Sequence, residues 1–139
     1  MKLQTFTASR FLLPLLLLVS LLNVSCEESD GQQLFCDVTL LPSLPDGRTI
    51  VRMEVDESLQ STYLRNVNNR QDYDFPIFVN NRGTVRVQKG VYLISFDAVV
   101  SFSDGSSARV RSSEYSNAER AVGLLDDTEV VVLKLALIK

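Results

Sequence analysis

Between residues 91 and 103 the chain reads VYLISFDAVVSFS, with Tyr92, Ile94, Phe96, Ala98, Val100 and Phe102 at every second position. A period of two puts all six on one face of a strand, whereas a helix would scatter them around its circumference. The stretch therefore predicts a long, half-buried β-strand. At about 3.3 Å per residue it would run about 40 Å, so it is expected to bend or bulge and to serve both ends of a sheet. Asp104-Gly105 predicts a hairpin into residues 108–111.

The flanking sequence has the same grain. Residues 34–41 alternate as a first strand, with Cys36 on the apolar face as a buried, inert thiol. The turn PSLPDG follows, in which Pro presets φ and Asp-Gly accepts positive φ. Residues 49–56 place Val51, Met53 and Val55 opposite Arg52, Glu54 and Asp56, predicting a second strand antiparallel to the first. Residues 61–67 form a weaker candidate strand and 70–74 a polar loop. The segment FPIFVN (75–80) can pair only as an edge or strand start, because Pro76 has no donor. Asn80-Asn81-Arg82-Gly83 predicts a tight turn, 84–88 a short strand with Val85 and Val87 inward, and Lys89-Gly90 a second turn.

Residues 112–127 predict a loop with one or two helical turns, capped by Ser116 with Glu119. Residues 128–138 predict a terminal strand whose two faces are both apolar: Val131, Leu133, Leu135 and Leu137 on one, Val130, Val132, Ala136 and Ile138 on the other. Such a strand expects cover on both sides, from its own domain or a neighbour. Seven or eight strands with little helix predict an all-β fold, an antiparallel β-sandwich over residues 34–139.

Ahead of this domain stands FLLPLLLLVSLLNVSC (residues 11–26), preceded by Lys2 and Arg10 and followed by Glu27, Glu28, Ser29 and Asp30. A basic start, a short apolar core and a small-residue cleavage site are the layout of a secretory signal peptide, too short for the roughly 30 Å hydrocarbon core of a bilayer. The residues around Ser25-Cys26 resemble the lipobox of bacterial lipoproteins, with Asn23 where leucine is usual. The acidic run resembles the export signal of Bacteroidetes surface lipoproteins. The resemblance implies cleavage before Cys26, lipidation of Cys26 with palmitate or a related acyl chain, and an outward-facing outer-membrane location. An ordinary cleaved signal on a secreted protein is the alternative reading. The expected organisation is a signal peptide at 1–25, a lipidated Cys26 and acidic tether at 26–33, and the sandwich at 34–139. If Cys26 carries lipid, Cys36 is an unpaired thiol; if not, a Cys26–Cys36 disulfide becomes available in an oxidising compartment.

Composition narrows the chemistry. The chain has no His, which removes the usual general base, metal ligand and partner of a nucleophilic Ser or Cys. The net charge is −3 and the arginines are scattered, so nucleic acid is not an expected partner. Asp72-Tyr73-Asp74 and the acidic run at 126–129 lack the spacing of a calcium loop and read as solvated turn carboxylates. The serines at 103–107 and 112–113 lie in no nucleophile motif. Asp97, on the polar face of the long strand, is expected to face solvent or pair with an arginine such as Arg86 or Arg109. Tyr63, Arg65, Arg70, Tyr73 and Arg82 form a candidate glycan- or peptide-binding patch, aromatic faces for stacking and guanidinium groups as planar donors. No catalytic residue, metal or cofactor is expected.

Residues 85–102, a strand, Lys-Gly, then Val-Tyr and a long apolar strand, resemble the Gly-x-Tyr strand start of transthyretin-like and fimbrillin-type sandwich domains of Bacteroidetes lipoproteins. The resemblance implies the sandwich and no functional residues. The expected function is a lipid-anchored, non-catalytic binding or accessory module of a surface assembly, with an envelope protein as partner. The alternatives are a fimbrial subunit or anchor that donates its C-terminal strand to a neighbour's sheet, and an envelope glycan-binding module.

Overall fold

The computed structural model describes residues 34–139; the expected signal peptide, Cys26 and the expected tether lie outside the described residues. Among the described residues eleven strands are formed: β1 (Phe35–Ser43), β2 (Ile50–Val55), β3 (Tyr63–Asn66), β4 (Asp72–Tyr73), β5 (Phe78–Val79), β6 (Gly83–Gln88), β7 (Gly90–Phe102), β8 (Ser107–Tyr115), β9 (Val122–Leu124), β10 (Thr128–Lys134) and β11 (Ala136–Leu137). The fold is all-β, as expected, and the larger number of strands reflects short pieces that pairing alone reveals. A small sheet has the order β10-β1-β6, and a large sheet runs β11-β8-β7-β2-β5, with β3, β4 and β9 attached through β3 and β7.

The long strand is the axis of the large sheet. β2 and then β3 pair along one side of β7, β8 and then β9 along the other. All six alternate apolar residues, Tyr92 to Phe102, are buried. They face a single core to which the small sheet contributes Cys36, Val38, Leu40, Val87, Val131 and Leu133. The bulges lie in the partners of β7 and not, as expected, in the long strand itself. One extra residue of β8 lies where Ile94 pairs with Tyr115 and Phe96 with Ser112, and one of β2 lies where Ile50 pairs with Phe102 and Arg52 with Ser101. The β2 bulge breaks the alternation read from 49–56: Ile50 and Met53 are buried and Val51 turns outward.

Two pairings differ from expectation. β1 and β2 do not form a hairpin but lie in different sheets, and β1 is instead flanked by β6, antiparallel, and by β10, parallel. The PSLPDG turn, with Gly47 at φ 73°, therefore carries the chain from one sheet to the other. The C-terminal stretch also divides, β10 pairing with β1 and β11 with β8. On β10, Val131 and Leu133 are buried while Val130 and Val132 are exposed, so among the described residues only one face is covered.

The turns follow their residues. Asn80 and Asn81 take φ of 50° and 63°, the two left-handed positions of a tight hairpin loop, and Val79 and Arg82 exchange backbone hydrogen bonds across it. Asp104-Gly105 closes β7 onto β8, with Gly105 at φ 81°. The expected helical turns reduce to a 3₁₀ turn at Ala118–Arg120, and its cap is Asn117 rather than Ser116: the Asn117 side chain accepts from the Arg120 N–H, while Ser116 Oγ donates back to the Ser113 carbonyl. Among the described residues Cys36 is a free, buried thiol, and burial pushes its pKa up. Among the described residues no helix is long and apolar enough to cross a membrane.

Candidate functional site

The β3–β4 hairpin brings three of the candidate residues together. Its register sets Arg65 directly opposite Asp72, and the guanidinium grips the carboxylate through two bonds, Nε to Oδ1 at 2.6 Å and Nη2 to Oδ2 at 2.9 Å. The same guanidinium lies 5.1 Å from the centre of the Tyr63 ring. Tyr63 in turn reaches across the sheet and donates its hydroxyl to the Ser116 carbonyl at 3.1 Å. Hydrogen bonds from Arg65 hold the Asp72 carboxyl below the usual carboxylate range. The pair is exposed, so its geometry orients the hairpin more than it stabilises the fold.

Beneath the hairpin a buried polar cluster fixes it to β6 and β7. The Tyr73 ring packs 6.0 Å from that of Tyr92, and its hydroxyl accepts the Gln88 N–H. Tyr92 is fully buried and donates to the Gln88 carbonyl at 2.6 Å, while Asn66 Nδ2 donates to the Tyr92 oxygen at 3.0 Å. Burial pushes the Tyr92 pKa up, so it is a neutral structural donor. Asn66 Oδ1 accepts from the Asn68 N–H, and Asn68 Oδ1 accepts from the Val91 N–H. This packing explains Gly90: a Cβ there would stand 2.7 Å from Asn66 Nδ2 and 2.9 Å from Asn68 Oδ1. The Gly-Val-Tyr run thus begins β7 as a steric and hydrogen-bonded lock.

Two depressions flank Phe75 and Glu57. One, about 150 Å³, is lined by Glu57, Thr62, Tyr63, Asp72, Tyr73, Asp74 and Phe75. The other, about 220 Å³, lies between β2 (Arg52 to Val55) and the Phe75, Pro76 and Ile77 side chains, with Glu57 at its edge. Phe75 is anchored edge-on against Phe96, with centroids 5.1 Å apart, and its N–H donates to Glu57 Oε1 at 3.0 Å. The two share Glu57 and Phe75, giving one candidate groove whose lining carries Glu54, Glu57, Asp72 and Asp74 against Arg52 alone.

Of the five patch residues, Tyr63, Arg65 and Tyr73 share this region. Arg70 occupies the β3–β4 turn at φ 61°, its N–H bonded to the Asn66 carbonyl. Arg82 belongs to the β5–β6 hairpin and has no side-chain hydrogen bond or ion pair to the other four among the described residues. Asp97 is buried and pairs with Arg111, the residue opposite it in register, through bonds of 2.6 and 2.8 Å. Arg86 instead approaches Asp37. Among the described residues no three His, Cys, Asp or Glu side chains converge as metal ligands. Glu57, Phe75 and Ile77 were not singled out by sequence, and only the Pro76 break hinted at them. Compared with protein families, curated proteins and solved structures, the chain matches none.

Proposed function

We propose that the chain is a lipid-anchored, non-catalytic binding or accessory module of a cell-envelope assembly, tethered through Cys26 to the outer membrane and facing outward, with an envelope protein as its partner. The observation that supports binding is the groove on either side of Phe75, whose walls are fixed by core packing and backbone bonds. Two of its carboxylates hold structural bonds: Asp72 accepts from Arg65, which lowers its pKa, the reverse of the shift a general acid needs, and Glu57 accepts a backbone N–H. The leader ending at Cys26 and the acidic residues after it support the anchor.

β10 is hydrogen-bonded within this chain's own sheet and contributes Val131 and Leu133 to its core. That favours the present reading over one in which the C-terminal strand leaves to complete a neighbour's sheet. The test is metabolic labelling with palmitate in an expressing bacterium. Label and membrane retention are expected in the wild type and lost in Cys26→Ala; label that persists in Cys26→Ala rules out this anchor.

A further inference from the structure

We propose that the cleft between β2 and residues 75–77 is an acceptor site for an extended, Lys- or Arg-bearing segment of a partner protein, which adds as a strand to the open edge of β2. This rests on the binding-module reading and specifies its ligand class.

The cleft exists because β5 stops pairing early. Asn80 N–H donates to the Val51 carbonyl, Val79 lies opposite Arg52 and Phe78 opposite Met53. Continuing that register sets Pro76 opposite Val55, and Pro has no N–H to offer. The Phe75 N–H is already taken by Glu57. On its other side β2 is tied to β7, where the Asp56 N–H donates to the Asp97 carbonyl. Backbone groups alternate along a strand, so the Val55 N–H and C=O point into the cleft, and among the described residues no backbone bond joins them to residues 75–77. An extended peptide supplies what Pro76 lacks, a donor and an acceptor at strand spacing. Ile77, 84 % exposed on the cleft wall, offers an apolar contact to one of its side chains.

Charge selects the class of segment. Glu54 is paired with Arg52 at 2.9 Å, but among the described residues Glu57 has no ion pair, and neither has the exposed Asp74 in the adjoining depression. A basic segment complements this rim. A glycan finds less, because the stacking surfaces are occupied: Arg65 covers the Tyr63 ring, and Tyr73 is packed on Tyr92 with its hydroxyl bonded to Gln88.

The test uses the full chain in detergent micelles with a fluorescent synthetic peptide alternating Lys and Val, a counterpart alternating Glu and Val, and a neutral oligosaccharide. The Lys/Val peptide is expected to bind saturably, to slow hydrogen exchange of the Val55 amide, and to bind about tenfold more weakly to Ile77→Ser and to Asp74→Lys. Both positions are exposed, and unchanged circular dichroism checks their fold. Absence of saturable binding, equal binding of the Glu/Val peptide, insensitivity to both substitutions, or protection of Val55 by the oligosaccharide in place of the peptide overturns the proposal. Palmitate labelling separates the two readings: failure of the peptide with Cys26-dependent labelling removes only the acceptor site, and peptide binding without labelling removes only the anchor.

Discussion

Replacing Gly90 by Ala tests how the hairpin and the long strand are locked together. The backbone there is not in the left-handed region, so alanine meets no conformational penalty; its cost is the space already filled by the Asn66 and Asn68 side chains. Asn66 is 1 % exposed and its amide bonds Tyr92 and the Asn68 N–H, so it cannot retreat without breaking bonds inside the core. Losing two such bonds costs about 1 kcal/mol each, and a buried group left without a partner adds about 1–2 kcal/mol. Alanine recovers about 0.4–1 kcal/mol by restricting the unfolded chain. The net destabilisation is about 2–3.5 kcal/mol. Urea unfolding followed by circular dichroism should show the midpoint falling by about 1–3.5 M, given a slope of about 1–2 kcal/mol/M. The companion measurement is the double variant with Asn66→Ala, which removes one source of the clash. Gly90→Ala should then cost at least about 1 kcal/mol less than in the wild type. A change below about 0.5 kcal/mol, or strict additivity with Asn66→Ala, would refute the steric lock.

Three other outcomes are expected. Bonds from Arg111 lower the Asp97 pKa, so its stabilisation is fully present above the unfolded value of about 3.9 and is lost as pH falls through the folded value; unfolding from pH 7 to 2 should show the deficit of Asp97→Asn narrowing below about pH 4, and a constant deficit contradicts the pairing. Asn81 combines positive φ with a buried side-chain oxygen that has no partner among the described residues, so Asn81→Gly should stabilise by about 0.5–1 kcal/mol in urea, whereas a loss would show that its side chain matters. The Cys36 thiol, buried and with a raised pKa, should react with iodoacetamide at least about a hundredfold more slowly in the native protein than in denaturant, and comparable rates would contradict its burial.

What the sequence could reveal depended on range. The alternation from Tyr92 to Phe102 is a property of neighbouring residues, and so are the Asn80-Asn81 and Asp104-Gly105 turns; all formed as read. The partners of β1 are not local. Its parallel pairing with β10 joins residues separated by most of the domain, and no pattern within either strand distinguishes it from a hairpin with β2. Val51 misled because one bulged residue inverts the alternation after it. The candidate patch was a reading of composition, and of its five residues Tyr63, Arg65 and Tyr73 lie on the paired strands of one hairpin. Arg65 looked like a donor for a ligand until the hairpin register placed Asp72 opposite it, seven residues on, and tied both charges to each other. Arg82 looked equivalent to Arg65 by composition, yet it sits in a different hairpin. The depression beside β2 lies where Pro76 has no N–H to continue the β5 pairing, a relation that appears only when β2 is seen to continue past the end of β5.

The anchored-module reading is tested most directly by intact-mass spectrometry of the chain extracted from bacterial membranes. The expected species begins at Cys26 and carries the added mass of two or three acyl chains, enough for stable anchoring where one chain gives only marginal binding. A mass equal to an unmodified polypeptide, with or without residues 1–25, would contradict it.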